Sequence, residues 1–519
     1  MQIKKYTAPI LCIHYKLSVY AVFLLQSFIA SASGNVVRNE LNIDFERLRA
    51  QEGINVARAN KLLSSLYDVR RERYPKFIQD VDVFLDVGMQ AGYTIKPGVQ
   101  MGDNPEYDAL LAYRRVWAYD SGIALTLAVA TEDPSVHARA RWLLKYGEFV
   151  ENPADPNEQI FAGWPFSINQ KHLGDSWRDV RYVTGANSFA LTGICHYITS
   201  DAFKQLRKTE QRAYLNFFQK ALEGMLYHVE SDGPNEGLVA AGWTLNILRD
   251  IHQTDYVYYD LLDRLGYGWP EKIDGYSDPI RIVRAKNVVL EHCIGMLRLL
   301  NYTLDHFDQL VGTASSYTYF ELNEVRKKLR DSVFAKLYNK EERHFITGRN
   351  AAGVSSSYKA IDNTSWLVLA LRLEELTADQ TDMLMASLVY TVENFTNQFT
   401  ENEREYFGAY YFENGFEDPY IEQSFIHSEA LHIEATCGLI CSLLKFVRQY
   451  PNSPHDTLFR ETTLRLWKSM QYWVHNNGFK YASLDLKDLY VNLESSTSAT
   501  WYLFAYFYFN KRTLIVYMY

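Results

Sequence analysis

The sequence predicts an all-α fold, a closed (α/α)6 toroid of six helical hairpins with short β-hairpin insertions in its rim loops. Three observations lead there. Six segments with polar starts and small apolar bodies recur along the chain. Longer amphipathic segments with charge on one face alternate with them. No low-complexity linker interrupts the 519 residues, which are 47% hydrophobic and 22% charged. Length alone suggests about three domains, but a repeat of buried and half-buried helices overrides that prior in favour of one domain over residues 35–510, followed by a tail at 511–519.

The elements follow in chain order. Lys4, Lys5 and Lys16 precede an apolar stretch from Leu17 to Ala30, and Ala30-Ser31-Ala32 offers a small-residue cleavage site. The stretch is shorter than the ~20 residues of a membrane span. Residues 1–32 therefore read as a signal peptide, with an uncleaved anchor as the alternative, and the expected product is secreted or periplasmic with no membrane attachment. A helical region from Asn39 to Arg73 is expected to close the ring, because no sixth outer helix fits after Phe509. The six inner segments begin at Tyr119, Thr184, Arg284, Ile361, His427 and Glu494, with starts 65, 100, 77, 66 and 67 residues apart. Ala, Gly, Ser and Thr mix with Leu, Ile and Phe around most of each, as in helices buried on all sides. Outer helices are expected from Ser135, Ser200, Thr318, Ala378 and Pro454. The gap 231–284 reads as an extra helical pair and a loop, and the stretch after Tyr338 as a short hairpin. Inner helices should start near Asp120, Asn187, Asn287, Asp362, Glu429 and Ser495 and run parallel, so that polar residues scattered in sequence converge on one rim.

Composition excludes several functions. Lys+Arg total 53 against Asp+Glu 62, a net charge of −9, which argues against a general nucleic-acid binder. Four cysteines remain after the leader, Cys195, Cys293, Cys437 and Cys441, all in apolar helical patterns and expected to be buried free thiols. No G-x-S-x-G, P-loop or dinucleotide fingerprint is present.

Candidate acids at the inner helix starts are Asp120, Asp362, Glu429, Glu434 and Glu494, of which Asp120, Asp362 and Glu434 are the expected catalytic set. Glycoside hydrolysis needs two carboxyl groups, one to protonate the leaving oxygen and one to activate water or attack. Asp120 and Asp362 read equally well as helix caps. Glu434 lies about two turns beyond His427, a poor place for a cap, and an acid inside an apolar helix has a raised pKa suited to proton donation; pairing with an arginine such as Arg181 or Arg284 is its structural alternative, and Arg181 is also a candidate substrate-binding residue that could accept an acidic group. Trp117, Tyr119, Trp164, Tyr182 and Trp269 are candidate sugar-stacking rings, or loop packing. Asn187 and Asn363 are candidates for holding hydroxyls, or turn residues. Asn363 also begins an N-x-S/T sequon beside Asp362, where a glycan would block the cleft.

The alternation resembles the six-hairpin glycosidase superfamily over roughly Asn35 to Asn510, and more narrowly a group of its secreted bacterial members. The residues that carry this are Tyr119-Asp120-Ser121-Gly122-Ile123-Ala124, Thr184-Gly185-Ala186-Asn187-Ser188-Phe189, Ile361-Asp362-Asn363-Thr364-Ser365-Trp366 and Ile433-Glu434-Ala435-Thr436-Cys437. They match Y-D-x-A-L-A, T-G-x-N-A-W, L-D-x-Q-T-W and E-G-T-A patterns. Two departures stand out: the family glutamine is Thr364, and a family E-x-N-L-D stretch is Asn287-Val288-Val289-Leu290-Glu291.

The resemblance implies a carbohydrate-active enzyme, a glycoside hydrolase acting as a monomer on an oligo- or polysaccharide without a cofactor. Trp366 joins the substrate-binding set, and the many inverting members of the fold imply carboxyl groups ~6.5–9.5 Å apart. The superfamily also holds lyases, epimerases and phosphorylases. Two other readings stay open. One is a non-catalytic glycan-binding toroid. The other is a zinc cyclase-like toroid, suggested by Cys195-His196 and His292-Cys293, although adjacent helix residues point about 100° apart and would not readily share a metal.

Overall fold

A computed structural model of the chain describes residues 49–61, 94–95, 115–153, 155–165, 167–169, 182–245, 282–312, 317–356, 359–401, 403–411, 431–479, 490–491 and 496–510. The leader and tail read from the sequence lie outside these residues. The chain divides after Gly53, and the described residues of the first unit, 49–53, are helical. The second unit, from Ile54 onward, carries the toroid.

Eleven named helices of this unit alternate as expected: α1 (Ala118–Ala130), α2 (Val136–Tyr146), α3 (Thr184–Thr199), α4 (Lys208–Leu226), α5 (Leu290–Asp305), α6 (Tyr319–Leu337), α7 (Asp362–Ala370), α8 (Ala378–Phe395), α9 (Ile433–Gln449), α10 (Asp456–Asn477) and α11 (Ser496–Asn510). The inner helices are α1, α3, α5, α7, α9 and α11. Each packs on the next, and α11 returns to α1, so the ring is closed. From Thr184 to Ile198 every residue of α3 is buried, and so is all of α7. The outer helices bury one stripe each; α4, for example, turns Tyr214, Phe217, Phe218, Ala221, Leu222 and Met225 inward. Among the described residues, no helix is long and apolar enough to cross a membrane.

The inner helices run parallel. At one end, first turns meet first turns: Thr497 of α11 donates to Asp120 of α1 at 2.8 Å, and Tyr119 of α1 to Glu434 of α9 at 2.7 Å. At the other end, last turns meet last turns. Asn301 of α5 donates to the Ala370 carbonyl of α7, Lys445 of α9 donates to the Leu369 and Leu371 carbonyls, and Arg448 to that of Tyr508. These donors satisfy carbonyls that have no partner within their own helix.

Helical residues 54–61 contribute to closing the ring. Asn55 Nδ2 donates to both the carbonyl and Oε1 of Gln471 in α10, and the Tyr502 hydroxyl reaches the same Oε1.

Outer helices and inner helices begin differently. Thr318 and Thr377 form capping boxes with Glu321 and Gln380 at the starts of α6 and α8. The inner helices α3, α5, α7 and α9 follow Val183, Val289, Ile361 and His432 and have no side-chain cap. Three of them rise directly out of short β pairings, which leaves their first-turn polar side chains for other partners.

Those pairings move two helix starts from where the pattern put them. Val288–Val289 pairs antiparallel with Gly348–Arg349, so α5 begins at Leu290 and not near Asn287. Leu431 bridges Tyr410 and the His432 N–H donates to the Ala409 carbonyl, so α9 begins at Ile433 and not near Glu429. Glu434 is thus a first-turn residue, not one two turns deep. The short hairpin after Tyr338 is present, Tyr338–Asn339 pairing with His344–Phe345. A longer one, Thr396–Glu401 with Arg404–Ala409, precedes α9. The helical pair expected in 231–284 is not seen in its described part. Residues 231–241 form turns and bridges, and Gly242–Leu245 is the centre strand between Tyr182–Val183 and Ile282–Arg284.

Candidate active site

Three carboxyl groups from three inner helices interact at the rim. Asp120, Asp362 and Glu434 all stand in the first turns of α1, α7 and α9 and are buried, at 5%, 9% and 3% exposure. Glu434 lies at the centre of this group: its charge bears on Asp120, and the charge of Asp362 bears on it.

Glu434 is held from several sides. The Tyr119 hydroxyl donates to Oε1 at 2.7 Å and itself accepts the Trp501 indole N–H at 2.8 Å. Tyr411 and Trp501 also act on the carboxyl and favour its charged form. Desolvation outweighs these influences and raises the group from its ordinary 4.5 to about 7, with Asp362 adding to the rise. Burial likewise lifts Asp362 to about 6 against the pull of the Asp362 and Asn363 backbone N–H groups. Its Oδ1 has no hydrogen-bond partner among the described residues. Asp120 is pushed well above the usual carboxylate range by burial, and Thr497 and the Glu434 charge pull it in opposite directions.

Capping therefore separates the two aspartates. Asp120 takes its hydrogen bond from a hydroxyl on another helix, whereas Asp362 keeps contact with backbone N–H groups of its own first turn.

The rings beside the carboxyls form a stack. Trp366 lies near-parallel to Tyr119, 5.8 Å away at 14°, and to Trp501, 5.4 Å away at 13°. Phe189 meets Tyr119 edge-on at 4.9 Å. Trp366 is as buried as the carboxyls themselves and packs against both rings.

Several other candidates turn out to be structural. Trp164 is fully enclosed; its indole N–H donates to the Leu143 carbonyl at 2.7 Å, and Phe161 and Phe217 pack on it. It is a wall residue and not the floor of a sugar subsite. Asn187 accepts the Trp164 backbone N–H and sits where a side chain on Gly163 would be, and Gly163 has φ +126°. Tyr182 is buried with Ile160, Ala162 and Trp243, and its hydroxyl donates to Glu148 at 2.6 Å. Asn363 donates inward to the Phe345 carbonyl and the Thr347 hydroxyl, so a glycan, which replaces one hydrogen of this nitrogen, would cost one of the two bonds. Arg181, Trp269, Glu429, Glu494 and the side chain of Trp117 lie outside the described residues; the Trp117 backbone pairs with Ser167.

The cysteines are buried free thiols. Cys293 accepts the Val239 N–H, and His196 packs on the Tyr302 ring at 4.0 Å. Among the described residues, no three His, Cys, Asp or Glu side chains gather as a metal ion would require.

Tyr411, Thr497 and Trp501 act on the carboxyls but are not singled out by the sequence. A repeat alignment contains the signal for two of them. Thr497 and Trp501 are four residues apart near the start of α11, as Asp362 and Trp366 are at the start of α7.

No protein-family model and no curated protein matches the chain. Solved structures with similar folds include a GH63 mannosylglycerate hydrolase from Thermus thermophilus, at 13% identity over 82% of this chain and 98% of that one, with a TM-score of 0.47. Cellobiose 2-epimerase from Bacillus thermoamylovorans is 10% identical over 85% and 99%, with a TM-score of 0.45. A GH76 α-mannanase from Bacteroides thetaiotaomicron is 13% identical over 79% and 98%, with a TM-score of 0.43.

Proposed function

We propose that the chain is a glycoside hydrolase, with Glu434 as general acid and Asp362 as general base. The observation that carries this reading is that buried Glu434 is within electrostatic reach of two further buried carboxyls, each in the first turn of a different inner helix. An acid and a base working at one pH need different proton affinities, and the order here suits the roles: the acid near 7, the base near 6. Asp362 has an unused acceptor on Oδ1, whereas Asp120 Oδ1 takes the Thr497 hydroxyl. Asp120 is also pushed well up and is the weaker candidate for an ionised base.

In the proposed reaction, Glu434 gives its proton to the glycosidic oxygen as the bond to the anomeric carbon breaks. Asp362 takes a proton from the water that attacks that carbon from the opposite face. The products are two free hydroxyl-bearing sugars and a proton moved from Glu434 to Asp362 through water and substrate, with inversion at the anomeric centre. A neutral glycan fits a site with three acids. Export belongs to the same proposal, supported by the lysines, apolar run and cleavage motif of residues 1–32.

The test is a panel of oligosaccharides followed by chromatography and NMR of the first-formed anomer. Turnover should be bell-shaped in pH. It is lost as pH falls through about 6, where Asp362 takes up a proton, and as pH rises through about 7, where Glu434 loses one. The two limbs belong to the interacting pair. Glycans bound but returned intact at every pH point instead to a glycan-binding toroid, and a retained anomeric configuration rules out the water-attack step.

A further inference from the structure

We infer that Tyr119 is a positioning residue that fixes which oxygen of Glu434 carries the acidic proton. The inference rests on Glu434 being the acid. It replaces the substrate-stacking role that the sequence suggested for Tyr119.

At Tyr119 the direction of the hydrogen bonds follows from the donors. An indole N–H can only donate, so where Trp501 meets the Tyr119 hydroxyl at 2.8 Å the hydroxyl oxygen is the acceptor. The hydroxyl has one proton of its own, and Glu434 Oε1 lies 2.7 Å away. Its proton is therefore directed to Oε1. When Glu434 is protonated, Oε1 is the carbonyl oxygen of the acid and the proton sits on Oε2. The phenol cannot take over the titration, because burial and the Glu434 charge hold it well above its ordinary 10.

Rotation of the phenol is blocked as well. Its ring is stacked on Trp366 and met at the edge by Phe189, and Trp366 is in turn stacked on Trp501. The donor that sets the direction and the ring that sets the angle thus belong to one stack built from α1, α7 and α11. A proton confined to one oxygen needs no reorientation of the acid before transfer, which is what a positioned general acid requires.

The groups facing Glu434 are Tyr119 and Asp120 of α1, Asp362 of α7, Tyr411 and Trp501, with Cys437 on its own helix. Two substitutions at Tyr119 act on its hydroxyl, which gives to Glu434 and takes from Trp501. Tyr119→Phe keeps the ring and removes the hydroxyl. Replacing Tyr119 with 2,3-difluorotyrosine keeps ring and hydroxyl and makes the hydroxyl a stronger donor.

The measurement is a carbon-13 NMR pH titration of the full chain labelled at glutamate Cδ. The Glu434 resonance is identified by its absence from the Glu434→Gln protein. A lost donor to the charged form should move the Glu434 midpoint up by about one pH unit in Tyr119→Phe. The difluorotyrosine protein should move it down. Opposite shifts cannot come from packing alone. A midpoint unmoved by the fluorinated residue, or moved the same way by both, overturns the inference. The titration uses no substrate, so its outcome is separate from that of the hydrolase reading, which fails if Glu434→Gln keeps full turnover on a glycan.

Discussion

Glu434→Gln removes a proton donor but keeps an acceptor for the Tyr119 hydroxyl. Turnover should fall by about two to four orders of magnitude. Stability should move the other way. Burial raises Glu434 from 4.5 to about 7, so between those values the folded chain holds a proton that the unfolded chain releases. The stability this contributes is full at acid pH and is lost as pH rises through the window. The variant should therefore melt higher than the natural chain at pH 8, with the gap closing toward pH 4; calorimetry at both values checks this. If the variant melts lower at pH 8 and its folded fraction keeps full turnover, Glu434 is a structural acid. The sequence marks Glu434 as an acid in an apolar helix. Its partners Tyr119, Tyr411 and Trp501 come from positions as far as 315 residues away in sequence and are not implied by any local pattern.

At the scale of the element, the closest approach in the ring is between α1 and α3. A methyl on Gly122 would run into the Phe189 carbonyl oxygen, and one on Gly193 would come within 2.7 Å of the Gly122 carbonyl oxygen. Both neighbours are backbone and cannot step aside. Gly122→Ala and Gly193→Ala should each destabilise the fold by about 1–3 kcal/mol in urea titrations, although alanine is the better helix former. No loss of midpoint in either would mean that the two inner helices can separate freely. The starts of α5 and α9 show why element boundaries were hard to read. The residues just before each are spent on strands or bridges from distant segments, Gly348–Arg349 in one case and Tyr410 in the other. Helical periodicity has no information about such pairings.

Across the molecule, burial also decides how the fold responds to acid. His228, His292, His344 and His432 are held neutral, each lowered to about 3 chiefly by desolvation, and His196 is lowered too. In the unfolded chain these rings take up protons below about 6.5. The stability of the neutral folded form is present above that value and is lost as pH falls toward 3. The raised carboxyls of Asp120, Asp362 and Glu434 act with the opposite sign but are fewer. The urea midpoint should decline already between pH 6.5 and 5, before ordinary carboxylates titrate, and the decline should be steeper in Glu434→Gln. A flat midpoint across that range would show that the histidines gain protons without unfolding the ring.

By itself the sequence determined the all-α class and the six inner segments, and it offered acids near their starts, because each depends on local composition and spacing. A helix buried on every side must be small and apolar along its whole length, and that is visible in one dimension. The tertiary structure decided what those residues do. It enclosed Trp164 and Tyr182, which the sequence offered as sugar-binding rings, since an aromatic residue reads the same whether its face meets a ligand or another ring. It brought Thr497 to Asp120 across 377 positions and set Trp501 behind Tyr119 across 382. Those contacts arise only on closure of the ring, when the last inner helix returns to the first. The proton affinities of the three acids are set there too, by the water that closure excludes.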